Sequence, residues 1–522
     1  MTNGNEKRGL TAIIAASSLG TLIEWYDFYI FGSLATIIST KFFPSGNPTA
    51  ALLSTLATFA AGFVVRPFGA LFFGRLGDLI GRKYTFLVTL IIMGLSTFLI
   101  GCVPAYETIG FLAPVLVLLL RLLQGLALGG EYGGAATYVA EHSPVNQRGF
   151  YTSWIQTTAT LGLFISLFVI IVTKGSMNDD SFNNWGWRVP FWISILMVAV
   201  SVLIRMRMQE SPVFAKAKSE GKTSKNPLKE SFGHKLNFKF VLLALFGATM
   251  GQGVVWYTGQ FYALSFIQNT LNIDITQASK IIMIALGMGT PFFLVFGGLS
   301  DKIGRKWIML IGMLIAIFSY RPIYSAMHDA ASLENKKEIP AKMQIQTTEA
   351  SATSGSTVKT TVTTKEYEDG TLLKETKKET IPTGATSLKA TNEVKTTKAE
   401  ILNNGSFWRL VWLVFVQVIF VTMVYGPIAA FLVEMFPVKI RYTSMSLPYH
   451  IGNGIFGGLL PAIATFLATK ATQANEAAAK AGTKLPYDKP FLEGLWYPII
   501  IAAVCFVIGA LYINGKDTNA YD

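Results

Sequence analysis

Two acidic side chains, Glu24 and Asp27, lie within an apolar stretch near the beginning of the chain. They are three positions apart, so they share one face of a helix. Two carboxyl groups held close together away from water resist being ionised at the same time, and such a pair can take up and release a proton. The sequence therefore predicts a proton-coupling or ligand-contacting pair, with Glu131 as a further proton site. The alternative is an ion pair with Arg66 or Arg121 that only fixes helix packing.

A second set of candidates lies on one face of a later apolar helix. Arg121, Gln124 and Glu131 fall within about 80° of one another at 100° per residue. A guanidinium stays charged and can hold a carboxylate through two parallel hydrogen bonds. We expect Arg121 near the middle of its helix, where it contacts either a bound anion or one of the carboxyl groups of Glu24 and Asp27.

A polar and aromatic set follows in the second half of the chain, at positions i, i+4, i+5 and i+8 of a helix. Residues at these spacings lie close together, and this set suits the uncharged part of a small ligand. Packing between helices is an equally good explanation. His450 is better interpreted as a histidine satisfied by its neighbours than as a proton site. The predicted ligand-contacting residues are Arg121, Gln124, Tyr26, Gln252, Trp256, Tyr257 and Gln260.

Charged residues at helix ends form a third group, and part of it repeats. The pattern Gly-x-Leu-x-Asp-x-x-Gly-Arg-Lys occupies residues 74–83 and recurs with the same spacing at residues 297–306. Such charges can form pairs between helices that close in one state and break in another. Ordinary topology charges are the alternative. The predicted gating residues are Gly74, Asp78, Arg82, Asp301, Arg305, Glu141, Arg148, Glu434 and Arg441.

The composition indicates which solvent surrounds the helices that carry these residues. Of the 522 residues, 51% are hydrophobic and only 14% are charged, whereas soluble proteins average about 25% charged residues. Most of the chain is therefore expected in lipid. The two cysteines and four histidines show no spacing typical of a metal site, and no nucleophile–base pair typical of an enzyme stands out. The net charge of +13 comes from short connectors, which is typical of membrane orientation rather than of nucleic-acid binding.

Twelve apolar stretches are long enough to cross a bilayer, which takes about 20 residues. They are residues 11–39, 50–74, 84–103, 111–140, 150–173, 187–208, 239–270, 277–298, 307–327, 407–435, 443–469 and 492–513. Lysine and arginine concentrate in the connectors on one side, which predicts that this side and both termini are cytoplasmic. The first stretch is too long, and too acidic, for a cleaved signal peptide.

The repeat divides the chain into two halves. A second motif also occurs twice, at Glu141–Arg148 and at Glu434–Arg441. Its two copies are separated by more residues than the copies of the first motif, and the excess is nearly the length of the polar segment 328–404. This segment contains 16 threonines, and its 11 lysines balance its 11 acidic residues. A small hairpin around Asp369-Gly370 and a disordered loop are both compatible with it. We predict an N-terminal six-helix bundle (1–208), a cytoplasmic linker (209–238), a C-terminal six-helix bundle (239–513) interrupted by an extracytoplasmic insertion (328–404), and a cytoplasmic tail (514–522).

Several of these segments resemble a known family. The repeated loop resembles the signature between the second and third spans of the major facilitator superfamily. Gly20–Phe28, Arg66–Gly69, Arg121–Gly125 and Arg148–Trp154 are similar to the metabolite:proton symporter family, whose members carry proline or betaine, citrate, 2-oxoglutarate, shikimate and related acids. The resemblance implies an all-α polytopic membrane protein with the major facilitator fold, in which twelve transmembrane helices form two six-helix repeats around a central cavity.

The resemblance also implies a function. It indicates a secondary active transporter, not an enzyme, that carries a small organic acid or related metabolite with protons across the cytoplasmic (inner) membrane by alternating access. The expected partners are the lipid bilayer, the substrate and protons, without nucleic acid, and the chain is expected to be monomeric. No cofactor or metal is expected besides the proton gradient. The alternatives are proton-coupled uptake of an osmolyte such as proline or betaine and, less favoured, a proton antiporter that exports small molecules.

Overall fold

The computed structural model describes residues 2–43, 48–80, 82–130, 132–207, 229, 232–334, 336–351, 356–382, 393–436 and 441–513. In this part of the chain, ten helices are long and apolar enough to cross a membrane. The helix Thr2–Ser33 and a shorter apolar helix, Leu87–Cys102, bring the number to the predicted twelve. Helices dominate because a helix satisfies its own backbone hydrogen bonds, which lipid cannot do.

The first six spans, numbered in chain order, belong to the N-terminal half. Span 1 is Thr2–Ser33, continued by Ala35–Phe42; span 2 is Pro48–Val64, continued by Arg66–Ile80; span 3 is Arg82–Cys102; span 4 is Leu112–Gly129, followed by Tyr132–His142; span 5 is Arg148–Gly175; and span 6 is Val189–Arg207. Short helices Tyr106–Ile109 and Asp179–Asn184 lie in the connectors.

The second six spans follow a segment that lies outside the described residues for most of its length. Span 7 is Lys235–Thr270; span 8 is Ile275–Gly289, continued by Pro291–Ile303; span 9 is Arg305–Ala331; span 10 is Asn404–Tyr425, followed by Ile428–Met435; span 11 is Arg441–His450, continued through Ile451–Gly457 to Leu460–Lys480; and span 12 is Trp496–Tyr512. The boundaries predicted for the two bundles and the linker stay a prediction.

Spans 7 and 11 depart from regular α-helix where they meet. Span 7 has π-helical stretches at Leu245–Thr249, Tyr257–Tyr262 and Phe266–Thr270, and span 11 has one at Ile451–Gly457. A π-helical turn carries an extra residue and often marks a functional site. Of the polar and aromatic set that the sequence singled out in span 7, Gln252 and Trp256 lie between the first two stretches, and Tyr257 and Gln260 lie within the second.

Glycines let the two halves touch backbone to backbone between spans 5 and 8. A Cβ atom at Gly149 would lie 2.4 Å from the carbonyl oxygen of Gly297, and one at Gly297 would lie 2.6 Å from that of Gly149. Any side chain at either position would force the helices apart. This contact sets the distance between the two halves at the end where Asp301 lies.

The insertion between spans 9 and 10 is a four-stranded antiparallel sheet. Its strands are β1 (Gln344–Ser351), β2 (Ser356–Glu366), β3 (Leu372–Pro382) and β4 (Glu393–Ile401), which pair in sequence order. The hairpin predicted around Asp369-Gly370 is the β2–β3 turn, where Gly370 has a φ of +83° that suits glycine. Strand β4 also bridges to Ile273 in the connector between spans 7 and 8, so the sheet is docked on the second half.

Candidate functional site

The two carboxyl groups of span 1 lie in the interior of the protein. Glu24 and Asp27 are both fully buried. The Asp27 carboxyl group makes no ion pair with Arg66 or Arg121 within the described part of the chain, and neither of its oxygens makes a well-formed hydrogen bond there, with only the Ser194 hydroxyl beside it. Burying a carboxylate without a partner is costly, so this position favours the neutral, protonated side chain.

Arg121 is fully buried and held within the N-terminal half. Its guanidinium donates to the backbone oxygens of Phe28 at 3.4 Å and Phe59 at 3.1 Å, and to the side-chain oxygen of Gln124. Gln124 in turn donates to the backbone oxygen of Asp27 at 3.0 Å. The structure therefore brings Arg121 and Gln124 together, and both of them hold the backbone of span 1 next to the Asp27 carboxyl group.

Arg66, in span 2, is the residue whose importance the sequence analysis missed. It is 1% exposed, and its guanidinium carbon lies 3.9 Å, 4.4 Å and 5.2 Å from the ring centres of Phe63, Phe28 and Trp25. Its Nε and Nη2 atoms make no hydrogen bond within the described part of the chain. An arginine within an apolar stretch was the available signal, but it was considered only as a packing partner of the carboxyl pair.

The polar and aromatic set of span 7 lies between the two halves. Trp256 stacks on Tyr29 of span 1 with ring centres 5.4 Å apart, and Tyr257 meets Phe63 of span 2 edge to face at 5.3 Å. Among the described residues, the Trp256 indole nitrogen makes no hydrogen bond, and the Tyr257 hydroxyl has only the Tyr29 hydroxyl beside it. These two side chains therefore present donors in the centre of the molecule, close to Arg66.

The glutamines of span 7 differ from each other. Gln252 exchanges two hydrogen bonds with Asn453 of span 11, at 3.0 Å and 2.8 Å, so its amide is used within the second half. Gln260 accepts a hydrogen bond from Thr160 of span 5 at 3.2 Å, whereas its amide nitrogen makes none to the residues that the structure describes. Gln260 thus links the two halves and keeps a free donor.

Two further candidates lie apart from this group. The Tyr26 hydroxyl donates to the backbone oxygen of Pro190 at 3.0 Å, a contact within the N-terminal half. His450 is 1% exposed and packs edge to face against Tyr449 with ring centres 5.4 Å apart, and the interpretation of a histidine satisfied by its neighbours stays a prediction.

Asp301 joins the two halves at one end of the molecule. Its two carboxylate oxygens accept hydrogen bonds from the backbone nitrogens of Gly149 and Phe150, at 2.8 Å and 2.9 Å, at the start of span 5. Arg305 pairs with Asp301 at 2.8 Å and with Glu434 at 2.9 Å. The negative side chain thus stabilises the positive N-terminus of a helix from the other half.

Of the other predicted gating residues, one pair makes a further contact at the end where Asp301 lies, and several fall outside the described residues. Arg441 lies 3.6 Å from Glu141 of the first half, whereas Arg148 makes no ion pair within the described part of the chain. The side chains of Gly74, Asp78 and Arg82, and the whole of Glu131, lie outside the described residues.

A smaller set of contacts joins the halves at the opposite end. Lys174 of span 5 lies 3.4 Å from Asp274, which precedes span 8, and the Thr36 hydroxyl donates to Asn269 at 3.1 Å. The Asp274 carboxylate also accepts hydrogen bonds from the first backbone nitrogens of span 8. The structure is therefore closed at both ends around an interior that contains unpaired polar groups.

The β-sheet touches this second closed end. The backbone nitrogen of Asp274 donates to the backbone oxygen of Glu400 at 2.8 Å. The Gln277 side chain exchanges two hydrogen bonds with the backbone of Leu402. Burial raises the pKa of the Glu400 carboxyl to about 7, opposed by the nearby Lys336 ammonium. A titratable group therefore lies in the strand that contacts Asp274.

Comparison with known proteins identifies the family. Residues 12–339 match the family described as sugar (and other) transporter. The chain is 38% identical over 333 residues to the alpha-ketoglutarate permease of Escherichia coli strain K12, covering 64% of this chain and 75% of that protein. It is 30% identical over 475 residues to a putative metabolite transport protein of Haemophilus influenzae, covering 88% of each. The chain belongs to this transporter family.

Other comparisons agree on the fold. The proline/betaine transporter of Salmonella typhimurium is 35% identical over 319 residues, and the match spans 59% of this chain and 63% of that protein. The crystal structure of a D-xylose–proton symporter superposes with a TM-score of 0.62 at 16% identity, over 97% of this chain and 99% of the other. The protein is a membrane transporter with the twelve-helix major facilitator fold and not an enzyme, as the sequence predicted.

Proposed function

We propose that the protein is a secondary active transporter that carries a small organic acid or related metabolite together with protons across the cytoplasmic membrane. The observation that supports this most is the Asp27 carboxyl group, which is fully buried between two closed ends and makes no ion pair with any side chain that the structure describes. A proton keeps it neutral while water is excluded. Opening one end admits water, which allows the carboxyl group to ionise.

Alternating access follows from the two sets of contacts between the halves. Asp301 closes one end and the Lys174–Asp274 pair closes the other, so breaking one set while keeping the other exposes the interior to one side only. Two packed arrangements of the same interface provide the two states. The substrate and the proton then cross together because both lie between these ends.

Relatives guide the choice of substrate. Those described above are named for alpha-ketoglutarate and for proline and betaine, and another is a shikimate transporter from Escherichia coli. All of these compounds contain a carboxyl group. We therefore propose a carboxylate-bearing metabolite as the substrate of this protein.

Uptake of a zwitterionic osmolyte is the second candidate. The rings of Trp25, Tyr29 and Trp256 stack in a row, with centres 5.2 Å and 5.4 Å apart. Aromatic faces attract quaternary ammonium groups, so this row favours a ligand such as betaine. A proton antiporter is the third candidate, and no contact described above favours it.

The remaining sequence predictions belong to the same proposal. We propose that both termini face the cytoplasm, that the bundles comprise residues 1–208 and 239–513 with a cytoplasmic linker between them, and that the insertion is extracytoplasmic. The chain acts as a monomer, and its energy source is the proton gradient rather than a cofactor.

Uptake into proteoliposomes tests the proposed function. The purified protein is given labelled 2-oxoglutarate, shikimate, proline or glycine betaine, with an imposed proton gradient directed inward. Symport predicts accumulation above the external concentration, and a protonophore should abolish it. Net expulsion of preloaded substrate under the same gradient would contradict symport and indicate antiport. Accumulation of betaine alone would favour the osmolyte candidate.

A further inference from the structure

Arg66 presents one edge of its guanidinium to the interior without a partner. Nε and Nη2 make no hydrogen bond to any residue that the structure describes, and these two atoms lie on the same edge of the group and donate in parallel directions. This edge has the shape that matches the two oxygens of a carboxylate. No acidic side chain pairs with Arg66 within the described residues.

The surroundings of Arg66 do not compensate its buried positive charge, so an anion is needed beside it. The side chain is 1% exposed and stays charged, and the rings of Phe63, Phe28 and Trp25 surround it. Cation–π contacts offset only part of the cost of burying a charge. A bound carboxylate would supply both the opposite charge and the two missing hydrogen bonds.

Arg121 differs in this respect, although the sequence favoured it as the anion-binding residue. Its Nη1 and Nη2 donate to Phe28, Phe59 and Gln124, all within the first half of the chain, which leaves only Nε without a hydrogen bond among the described residues. It is therefore already used to hold span 1 and span 2 together. The buried guanidinium edge that is free to bind a ligand belongs to Arg66.

The groups opposite Arg66 indicate what else the ligand offers. Within the described residues, the Trp256 indole nitrogen and the Gln260 amide nitrogen make no hydrogen bond, and the Tyr257 hydroxyl has only the Tyr29 hydroxyl beside it; all three groups come from the other half of the molecule. The ring of Phe63 contacts both the Arg66 guanidinium and Tyr257, and Trp256 packs against Tyr257 with ring centres 4.8 Å apart. All three are donors, so they suit keto or hydroxyl oxygens.

We propose that Arg66 binds the carboxylate of the transported substrate through Nε and Nη2, and that Trp256, Tyr257 and Gln260 donate to oxygen atoms in its uncharged part. This rests on the proposed function and specifies its substrate class as oxo- or hydroxy-carboxylates. Arg121 is then a positioning residue that holds Gln124 and the backbone of Asp27.

Ligand binding to the purified protein in detergent tests this proposal without any proton gradient. The probes are 2-oxoglutarate, shikimate, proline and glycine betaine, with the methyl ester of shikimate as a probe that lacks the charge. The variants are Arg66→Lys, which keeps the charge but loses the parallel donors, and Arg66→Gln. Arg188→Lys is the matched control, because Arg188 donates to the backbone of Gly101 and Val103 at the end of span 3.

The expected result is that wild-type protein binds an oxo- or hydroxy-carboxylate and that Arg66→Lys weakens this binding roughly ten- to hundredfold. Arg188→Lys should bind as the wild type does, and the ester should bind far more weakly than shikimate. If Arg66→Gln does not fold, Arg66→Lys alone carries the test.

Wild-type affinity in both folded Arg66 variants, or equal affinity for shikimate and its ester, would overturn the proposal. Binding of betaine in preference to both oxygen-rich acids would also overturn the stated substrate class. Failure of the proposed function would appear elsewhere, as a wild-type protein that binds ligand but does not accumulate it under a proton gradient.

Discussion

Asp27 and Arg66 are an acidic and a basic side chain buried in the interior of the protein, and neither makes an ion pair within the described residues. We propose that they have different roles. Asp27 makes no well-formed hydrogen bond and no ion pair within the described residues, which suits a group that changes protonation. Arg66 cannot change protonation under physiological conditions, which suits a group that waits for an anion. Proton coupling and substrate binding therefore belong to separate side chains.

Asp27→Asn is expected to uncouple transport from the proton gradient. The amide has the shape of the protonated acid but cannot release a proton, so exchange of substrate across the membrane should continue. Accumulation driven by a pH difference should vanish. Proteoliposome exchange and accumulation measure the two activities, and Asp180→Asn, in the connector between spans 5 and 6, is the matched control. Normal accumulation by the Asp27 variant would place the proton path elsewhere, with Glu131 as the next candidate.

Arg121→Lys is expected to impair coupling more than binding. Lysine keeps the charge but cannot reach Phe28, Phe59 and Gln124 together, so span 1 should lose its fixed position. Substrate affinity should change severalfold at most, while pH-driven accumulation should fall about tenfold or more. Binding in detergent and uptake in proteoliposomes separate these effects. A hundredfold loss of affinity with unchanged coupling would restore Arg121 as the anion-binding residue.

The sequence identified the right kinds of residue at this scale but not the right arginine. Both arginines stand in apolar stretches, and nothing local distinguishes them. The difference arises because Arg121 meets carbonyl oxygens 93 and 62 positions away in the chain, which only the packing of spans 1, 2 and 4 brings into reach. Sequence spacing predicts which side chains share a helix face, but not which backbone groups approach from other helices.

At the scale of helices, Asp301 acts through the N-terminus of span 5. Asp301→Asn should weaken this closed end, because the amide offers one acceptor oxygen to two backbone nitrogens and no charge to Arg305. We expect a slower exchange rate, with substrate affinity unchanged within about twofold, since the residue lies at the closed end and not in the central group. Asp329→Asn at the far end of span 9 is the control. A large loss of affinity with normal exchange would contradict a gating role.

We expect the docking of the β-sheet on the second half of the protein to depend on pH. The pKa of Glu400 is about 7 in the folded protein and near 4.5 when exposed, so folding favours the protonated form. The contribution of this pKa difference to the free energy of unfolding is fully present below about pH 4.5 and is lost as the pH rises through about 7. Lys336 and Asp369, which pair at 3.2 Å, are the charged groups that act on it.

Glu400→Gln should remove that pH dependence. Thermal unfolding between about pH 5 and about pH 8 should show a midpoint that falls with rising pH in the wild type and changes less in the variant. Glu368→Gln, on an exposed turn of the same sheet, should behave as the wild type does. Equal pH dependence in the wild type and in Glu400→Gln would show that Glu400 does not control docking.

The insertion shows how far sequence reasoning reaches at this scale. Asp369-Gly370 between two alternating stretches predicted one hairpin, and β2 and β3 form it. Strands β1 and β4 were not foreseen, because segments rich in threonine and lysine have the composition of a disordered loop. The contact of β4 with Ile273 joins parts of the chain far apart in sequence, and no local pattern indicates it.

At the scale of the whole molecule, the repeated loops and the count of apolar stretches were enough to predict the fold. Twelve spans and a duplicated signature indicate two similar bundles, and the match to the D-xylose–proton symporter agrees over 97% of the chain. The state of the molecule could not be predicted in the same way. That both ends are closed depends on pairs such as Lys174–Asp274 and Asp301 with Gly149, which join the two halves across the interface.

Closure at both ends fits a protein that opens to one side at a time. The central claim about this protein is that substrate and proton cross in the same direction. The most direct test is proton movement driven by substrate alone. Proteoliposomes containing the protein and an internal pH-sensitive dye are placed in equal pH inside and outside, and substrate is added outside. Symport predicts that the interior acidifies as substrate enters and that Asp27→Asn gives entry without acidification. Entry into wild-type vesicles without a pH change, or with an alkaline shift inside, would contradict the account.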